Sequence, residues 1–142
     1  MAKNKWRIKE AVKIAEEAGL KALRTGAEAI LTEAIDETPI ETGTLRRSGT
    51  VTVGALPDGA RVFEAAEAGN EMKDAFPGQE GKEKSVYVSF NTPYARRQHE
   101  ELGYNHPLGG KAKYLEDPFN RNKNKVLKCA DKQVKKALEK AK

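Results

Sequence analysis

The segment Thr38–Ser48, "TPIETGTLRRS", decides how the chain is organised, because it separates a long helical pattern from the first strand-like one. The proline at position 39 disfavours the α conformation of the residue before it, so the preceding helix must end there. Gly43 can adopt a positive φ, and Leu45 offers an apolar anchor. A phosphate-binding loop needs several glycines and a lysine before Ser or Thr at a helix start. The segment therefore predicts a helix-to-sheet corner.

Upstream of this corner, a long helix is predicted over residues 5–36, where apolar and small side chains recur at spacings of three and four. It would be about 48 Å long at 1.5 Å per residue. Gly19 and Gly26 lie seven residues apart on its apolar stripe. They either permit the close approach of another backbone or are tolerated at the surface, and the sequence leaves both options open.

Downstream, residues 44–91 carry the signals of a small antiparallel β-sheet. "TLRRSGTVTVGA" (44–55) and "SVYVSFN" (85–91) predict strands, and "ARVFEAA" (60–66) predicts a further short one. Residues 67–84 are rich in glycine and charge, which predicts a long mobile loop. Its large apolar residues, Met72 and Phe76, are candidate contacts to a neighbouring subunit.

Two further helices complete the predicted fold. Thr92 and Asp117 are each followed by a proline, which indicates an N-cap and a first helical position. We therefore expect a short helix over 93–102 and a C-terminal helix over 117–141. The fold class is α+β: a long N-terminal helix, a small antiparallel sheet with a long loop, and two helices packed on it. Residues 1–142 are expected to form a single domain.

The positive charge is concentrated at the C-terminal end. The formal net charge is +5, but residues 120–142 hold nine Lys/Arg and two acidic residues, a net of +7. This helix is either a solvated basic face or the binding surface of a small nucleic-acid-binding module. The charged N-terminus has no apolar core typical of a signal peptide, and no apolar run approaches the ~18 residues of a membrane span, so no membrane partner is expected.

The sequence contains few residues that suggest chemistry. His99 and His106 are the only histidines, and they stand at no recognised metal-ligand spacing with Cys129. Cys129 lies beside the apolar stripe of the last helix and is expected to be a buried or half-buried hydrophobe. We expect no metal, no cofactor and no catalytic residues. A metal hydrolase built on the two histidines is the enzymatic alternative.

Two motifs in this order resemble those of a known family. The first combines a proline, a Thr-Gly, a Leu-Arg and a serine. The second combines a Tyr-Ala at a strand end, a His-Glu in the next helix, and an aromatic-Leu-x-x-Pro. The matching residues are Pro39, Thr42, Gly43, Leu45, Arg46 and Ser48, then Tyr94, Ala95, His99, Glu100, Tyr114, Leu115 and Pro118. With the order of the elements, they resemble the minor capsid, neck and tail-completion proteins of long-tailed bacteriophages.

The resemblance implies a virion structural protein and not an enzyme. Such proteins form rings between the DNA-filled head and the tail tube, and a hexamer matching the tail tube is favoured. The implied partners are adjoining neck, connector and tail-tube proteins, with phage DNA passing through the lumen without sequence-specific binding. The implied location is the neck or tail of the virion, after synthesis in the host bacterial cytoplasm. Head joining and tail completion are both open.

Overall fold

The structure, a computed structural model, describes residues 2–40, 43–71, 73, 78, 81–104, 106 and 109–141, with the backbone alone for 2–6. Its elements follow the chain as α1 (Ala2–Glu37), α2 (Thr44–Arg47), β1 (Gly49–Val53), α3 (Gly59–Glu67), β2 (Val86–Phe90), α4 (Ala95–Glu100) and α5 (Glu116–Lys140). The predicted α+β class is confirmed. So are the long first helix and the antiparallel pairing of two strands, in which Gly49 lies opposite Phe90 and Val53 opposite Val86.

The prediction of a strand over residues 60–66 is wrong, because Gly59–Glu67 is a helix. The side chain of Asp58 caps it by accepting a hydrogen bond from the Arg61 N–H at 3.3 Å. Val62 and Ala66 are fully buried and lie four residues apart, which is a helical spacing. The sheet of the described residues consequently has two strands.

Three predicted element starts are also corrected. Residues 44–47 form the short helix α2 instead of the beginning of a strand, and β1 begins at Gly49. The fourth helix covers residues 95–100, with Tyr94 and not Thr92 at its N-cap. The last helix begins at Glu116, so Asp117 lies in its first turn and its side chain is not a cap. Tertiary hydrogen bonds, described below, fix these starts.

Helix α1 is shared by two packing layers. On one side, Ala27 and Leu31 are buried against Val51 of β1. The partly buried side chains that pack on this cluster are Ile35, Val86, Val88 and Phe90. On its other side α1 meets α5, where Gly26 faces Val126 and Gly19 faces Val134. The higher-numbered residue of α1, Gly26, faces the lower-numbered residue of α5, Val126, so the two helices run antiparallel.

The predicted mobile loop lies only partly within the described residues. Met72 and Phe76 fall outside them. The Lys73 carbonyl accepts a hydrogen bond from the Val51 N–H at 2.8 Å, which pairs part of the free edge of β1. Cys129 is exposed on α5, contrary to expectation. None of the helices in the described part of the chain combines the length and apolar character needed to cross a bilayer.

The two glycines of α1 give a matched stability prediction. A Cβ at Gly26 would lie 2.4 Å from Val126 Cγ1, whereas one at Gly19 would lie 3.6 Å from Val134 Cγ2, an ordinary contact. We expect Gly26→Ala to be destabilising by about 1–3 kcal/mol through overpacking. Gly19→Ala should be stabilising by up to about 1 kcal/mol, because alanine is the better helix former. Urea unfolding of both variants measures these differences.

Addition of Val126→Ala to Gly26→Ala supplies the control. It should recover part of the loss, since it removes the methyl groups that the new Cβ meets. Equal stability of the two single alanine variants would contradict the tight α1–α5 contact.

Candidate functional site

The carboxyl end of α1 is the structural centre of the first motif. A helix leaves its last four carbonyls without helical partners, and they must be satisfied elsewhere when buried. Thr38 is fully buried just after α1. Its N–H donates to the Ile35 carbonyl at 3.2 Å, and its hydroxyl donates to the Ala34 carbonyl at 2.6 Å. Thr38 therefore closes the last turn of the helix on itself.

Two residues from later in the chain bind the next three carbonyls. The Arg46 guanidinium donates from Nε to the Thr38 carbonyl at 2.9 Å and from Nη2 to the Asp36 carbonyl at 3.1 Å. The Lys111 N–H donates to the Glu37 carbonyl at 2.9 Å. Every carbonyl from residue 34 to 38 thus has a named donor. The positive guanidinium also lies at the negative end of the helix dipole, where a cation is favourable.

The corner after α1 has the predicted geometry. Gly43 has φ +83° and is the N-cap of α2, and Leu45 is buried, so both expectations are confirmed. The neighbouring arginine has a matching role on another helix. Arg47 Nε donates to the Ala66 carbonyl at 2.9 Å, near the carboxyl end of α3. The paired arginines therefore bind the ends of two different helices.

A buried polar cluster joins the corner to the end of β2. Ser48 is fully buried and its hydroxyl donates to the Leu45 carbonyl at 2.7 Å. The same hydroxyl accepts from the Asn91 N–H at 3.1 Å, and Asn91 Nδ2 donates to the Ser48 carbonyl at 2.9 Å. The hydroxyls of Thr50 and Ser89 are 2.9 Å apart across the strands. These bonds fix the register at one end of the two-stranded sheet.

The second motif assembles around Tyr114. This side chain is buried, and its hydroxyl donates to the Ala95 carbonyl at 2.8 Å. Burial raises the pKa of the Tyr114 phenol, which keeps it a donor. Its ring stands edge-to-face with those of Phe90 and His99, with centroids 5.0 Å apart in both pairs. Because Leu45 belongs to the same buried cluster as Ala95 and Tyr114, the structure brings the two motifs together.

His99 has a protein partner at each ring nitrogen. Nδ1 lies 2.8 Å from Glu100 Oε1, and Nε2 accepts a hydrogen bond from the Glu116 N–H at 3.2 Å. The ring therefore links α4 to the first turn of α5. Among the described residues, no three His, Cys, Asp or Glu side chains converge as ligands for a metal ion. That neither His99 nor His106 binds a metal stays a prediction.

Ion pairs surround this histidine on the surface. Lys113 contacts Glu100 and, at 3.2 Å, Glu116. The hydrogen bond from Lys113, with a smaller contribution from His99, lowers the pKa of the Glu100 carboxyl. Lys111 contacts Asp117 and lowers the pKa of that carboxyl in the same way. Ion pairs of Lys111 and Lys113 thus fix the exposed side of the loop before α5, and the buried Tyr114 side chain fixes its inner side.

The remaining motif residues have supporting positions. Pro39 and Pro118 are buried, and Tyr94 and Leu115 pack against the Tyr114 cluster. Thr42 lies outside the described residues. The sequence analysis missed residues that bind distant segments: Arg47, Phe90, Asn91, Lys111 and Lys113. The asparagine directly after a strand was a usable signal, because its amide can bind backbone and hydroxyl groups at a strand end.

In chemical terms, the joined motifs satisfy helix ends and pack aromatic rings. The hydrogen bonds of these polar side chains go to one another or to backbone groups. Such an arrangement stabilises a precise junction between α1, the sheet and α5.

Comparison with known families bears directly on this junction. The family model described as "Bacteriophage HK97-gp10, putative tail-component" matches residues 2–117. The chain belongs to the HK97-gp10-like family. The match covers the first motif and all of the second except Pro118, and it ends in the first turn of α5. Membership in the HK97-gp10-like family supports a structural role as a phage tail component and a place in the virion. No curated protein and no solved structure matches the chain.

The bonds of Arg46 to α1 give the first prediction for this site. Arg46→Met keeps an unbranched apolar stem but removes the donors to the Thr38 and Asp36 carbonyls. We expect a loss of about 1–3 kcal/mol in the free energy of unfolding, because a buried carbonyl is left without a partner. Arg96→Met, at an exposed position of α4, is the control and should change stability little. If denaturant unfolding shows that both variants lose the same free energy of unfolding, the capping role of Arg46 is contradicted.

The ion pairs around α5 give a pH-dependent prediction. The pKa values of Glu100 and Asp117 are lowered in the folded state, so their contribution is complete at neutral pH and is lost as pH falls through the folded values. The double variant Glu100→Gln/Asp117→Asn should be less stable than the parent at pH 7 and indistinguishable from it well below pH 4. Urea midpoints at both pH values measure this, and a pH-independent difference would refute it.

Proposed function

We propose that this chain is a structural protein of the phage neck, which forms a ring that joins the DNA-filled head to the tail or completes the tail. The family match over residues 2–117 carries this proposal, since it includes the whole of α1, the first motif and all of the second motif except Pro118. A hexamer is favoured, to match the symmetry of a tail tube. The role is structural and not catalytic, and the protein acts in the virion after synthesis in the bacterial host.

The length of α1 supports assembly into a ring. Because Val134 lies over Gly19 and α5 ends at Lys140, the first ~12 residues of α1 extend beyond its partner helix. Ile8 and Val12 lie in this part, four residues apart on one helix face, and both are exposed. Two apolar side chains that remain in solvent contribute little to the stability of an isolated helix end. A neighbouring subunit would bury them.

A second set of exposed apolar side chains lies outside α1. Leu102 and Tyr104 follow α4, and both are exposed. A head-to-tail interface requires two different surfaces on each subunit, and it closes into a ring when the rotation between subunits permits. The free end of α1 and the segment after α4 would supply two such surfaces.

Other partners follow from the proposed ring. The adjoining neck, connector and tail-tube proteins would contact its two faces, and phage DNA would pass through its lumen without sequence-specific binding. Met72 and Phe76, which lie outside the described residues, are proposed as further inter-subunit contacts on the basis of their spacing in a charged loop. Each would supply an apolar anchor to a neighbour.

A matched pair of variants tests the ring. Ile8→Glu places a charge on the free end of α1, and Leu127→Glu does so on α5, at positions that are 63% and 60% exposed. Neither should alter monomer stability by more than about 0.5 kcal/mol, because both side chains face solvent. We expect Ile8→Glu to abolish rings of the purified protein in electron micrographs and native mass spectra, and Leu127→Glu to retain them.

The encoding phage supplies the functional readout. Without this gene, lysates should contain DNA-filled heads and unjoined or incomplete tails, and the parent gene supplied in trans should restore whole particles. Normal particles in the absence of the protein would overturn the proposed function. If the Ile8→Glu variant still forms rings, the subunit interface does not include the free end of α1.

A further inference from the structure

The outward face of α5 is a row of lysines. Lys125, Lys128, Lys132 and Lys136 recur at spacings of three and four, and all are exposed. At 100° per residue they fall within a sector of about 80°, and they span about 16 Å along the helix axis. The packing of α5 fixes this orientation, because its opposite face, with Ala130 buried, is pressed against α1.

These four lysines form no ion pair with any described residue, in contrast to two of their basic neighbours. Arg121 pairs with Glu33 and Glu37 of α1, and Lys135 pairs with Asp131. Asp131 is also the only acidic residue between positions 121 and 138. The row therefore presents a concentrated positive potential that no described acidic side chain neutralises by an ion pair.

The basic surface continues across the groove between α5 and α1. This groove has a volume of about 560 Å³, and its polar lining includes Lys21 and Thr25 of α1 with Gln133 and Lys140 of α5. Lys125 and Lys136 of the row border the same groove. Positive charge thus comes from two helices over one continuous surface.

The composition of this surface selects among anionic partners. A helix that binds a lipid surface needs an extended exposed apolar face beside its charges. In α5, Val126 and Val134 are turned toward α1, and Leu127 is the one large apolar side chain exposed between positions 120 and 140. Base recognition relies mainly on side chains with fixed bidentate geometry, such as Arg, Asn or Gln, whereas the row consists of lysines, which act as flexible point charges. Lysines a few ångströms apart along a straight helix suit the closely spaced phosphates of a duplex.

We propose that the lysine face of α5 binds the phosphate backbone of double-stranded DNA without reading its sequence. The proposal rests on the proposed neck function in one respect, that the DNA concerned is the phage genome in the ring lumen. It adds a surface outside the family match, which ends at residue 117, before the first lysine of the row. The face would then line the lumen and hold DNA by charge alone.

Salt-dependent binding of the purified chain tests this surface. The probe is a fluorescent duplex of about 30 base pairs and arbitrary sequence, titrated by anisotropy from about 50 to about 200 mM salt. The test variant carries Lys125→Gln, Lys128→Gln, Lys132→Gln and Lys136→Gln. The control variant removes four positive charges elsewhere, through Lys73→Gln, Lys82→Gln, Arg96→Gln and Arg97→Gln, all at exposed positions. Circular dichroism and melting curves verify that both variants fold.

The parent should bind the duplex with a dissociation constant that rises steeply with salt, equally for unrelated sequences. In the test variant, the slope of log Kd against log salt should fall by about 3, and affinity at low salt should fall at least about tenfold. The control should match the parent within about twofold. Equal slopes in the two variants, or a parent that binds anionic phospholipid vesicles but no duplex, would overturn the proposal.

The outcome is separable from that of the neck function. If the protein forms rings and joined particles, but the test variant has the same salt dependence of DNA binding as the parent, only the proposal for the lysine face is rejected. DNA binding through α5 in a phage that assembles normally without the protein would reject the neck function alone.

Discussion

The carboxyl end of α1 is the constraint on which the rest of the structure depends. Five consecutive carbonyls, from residue 34 to 38, must find donors where the helix ends inside the protein. Thr38 supplies two donors, the Arg46 guanidinium supplies two, and the Lys111 N–H supplies the fifth. The corner before β1 and the loop before α5 are thereby tied to one helix end. Gly110 shows how close this approach is, since a Cβ there would lie 2.4 Å from Pro39 Cα.

Sequence patterns predicted the long elements well and the short ones poorly. Both long helices were found within three residues of their ends, because many turns of apolar periodicity accumulate a clear signal. The strand predicted for residues 60–66 failed because seven residues, with adjacent Val62 and Phe63 and adjacent Ala65 and Ala66, fit either period. The Asp58 cap and the spacing of Val62 and Ala66 were present in the sequence and would have favoured a helix.

The junction of the two motifs was beyond prediction for a different reason. Gly43 and Leu45 could be assigned roles, because a positive φ and an apolar anchor are local requirements. The hydrogen bond from Tyr114 to the Ala95 carbonyl and the bond from Arg46 to α1 depend on how distant segments pack. A single sequence states which residues could form such bonds, but not which partners the fold brings within 3 Å.

The antiparallel contact between α1 and α5 has a consequence for how the chain folds. Gly26 and Val126 touch although they are 100 residues apart in sequence. Contacts of such separation slow folding, because closing the long intervening chain costs entropy before the contact stabilises anything. During synthesis, the side of α1 that packs on α5 remains uncovered until that 25-residue helix has left the ribosome. Until then α1 keeps an uncovered face, so nascent chains of this protein are candidates for chaperone binding.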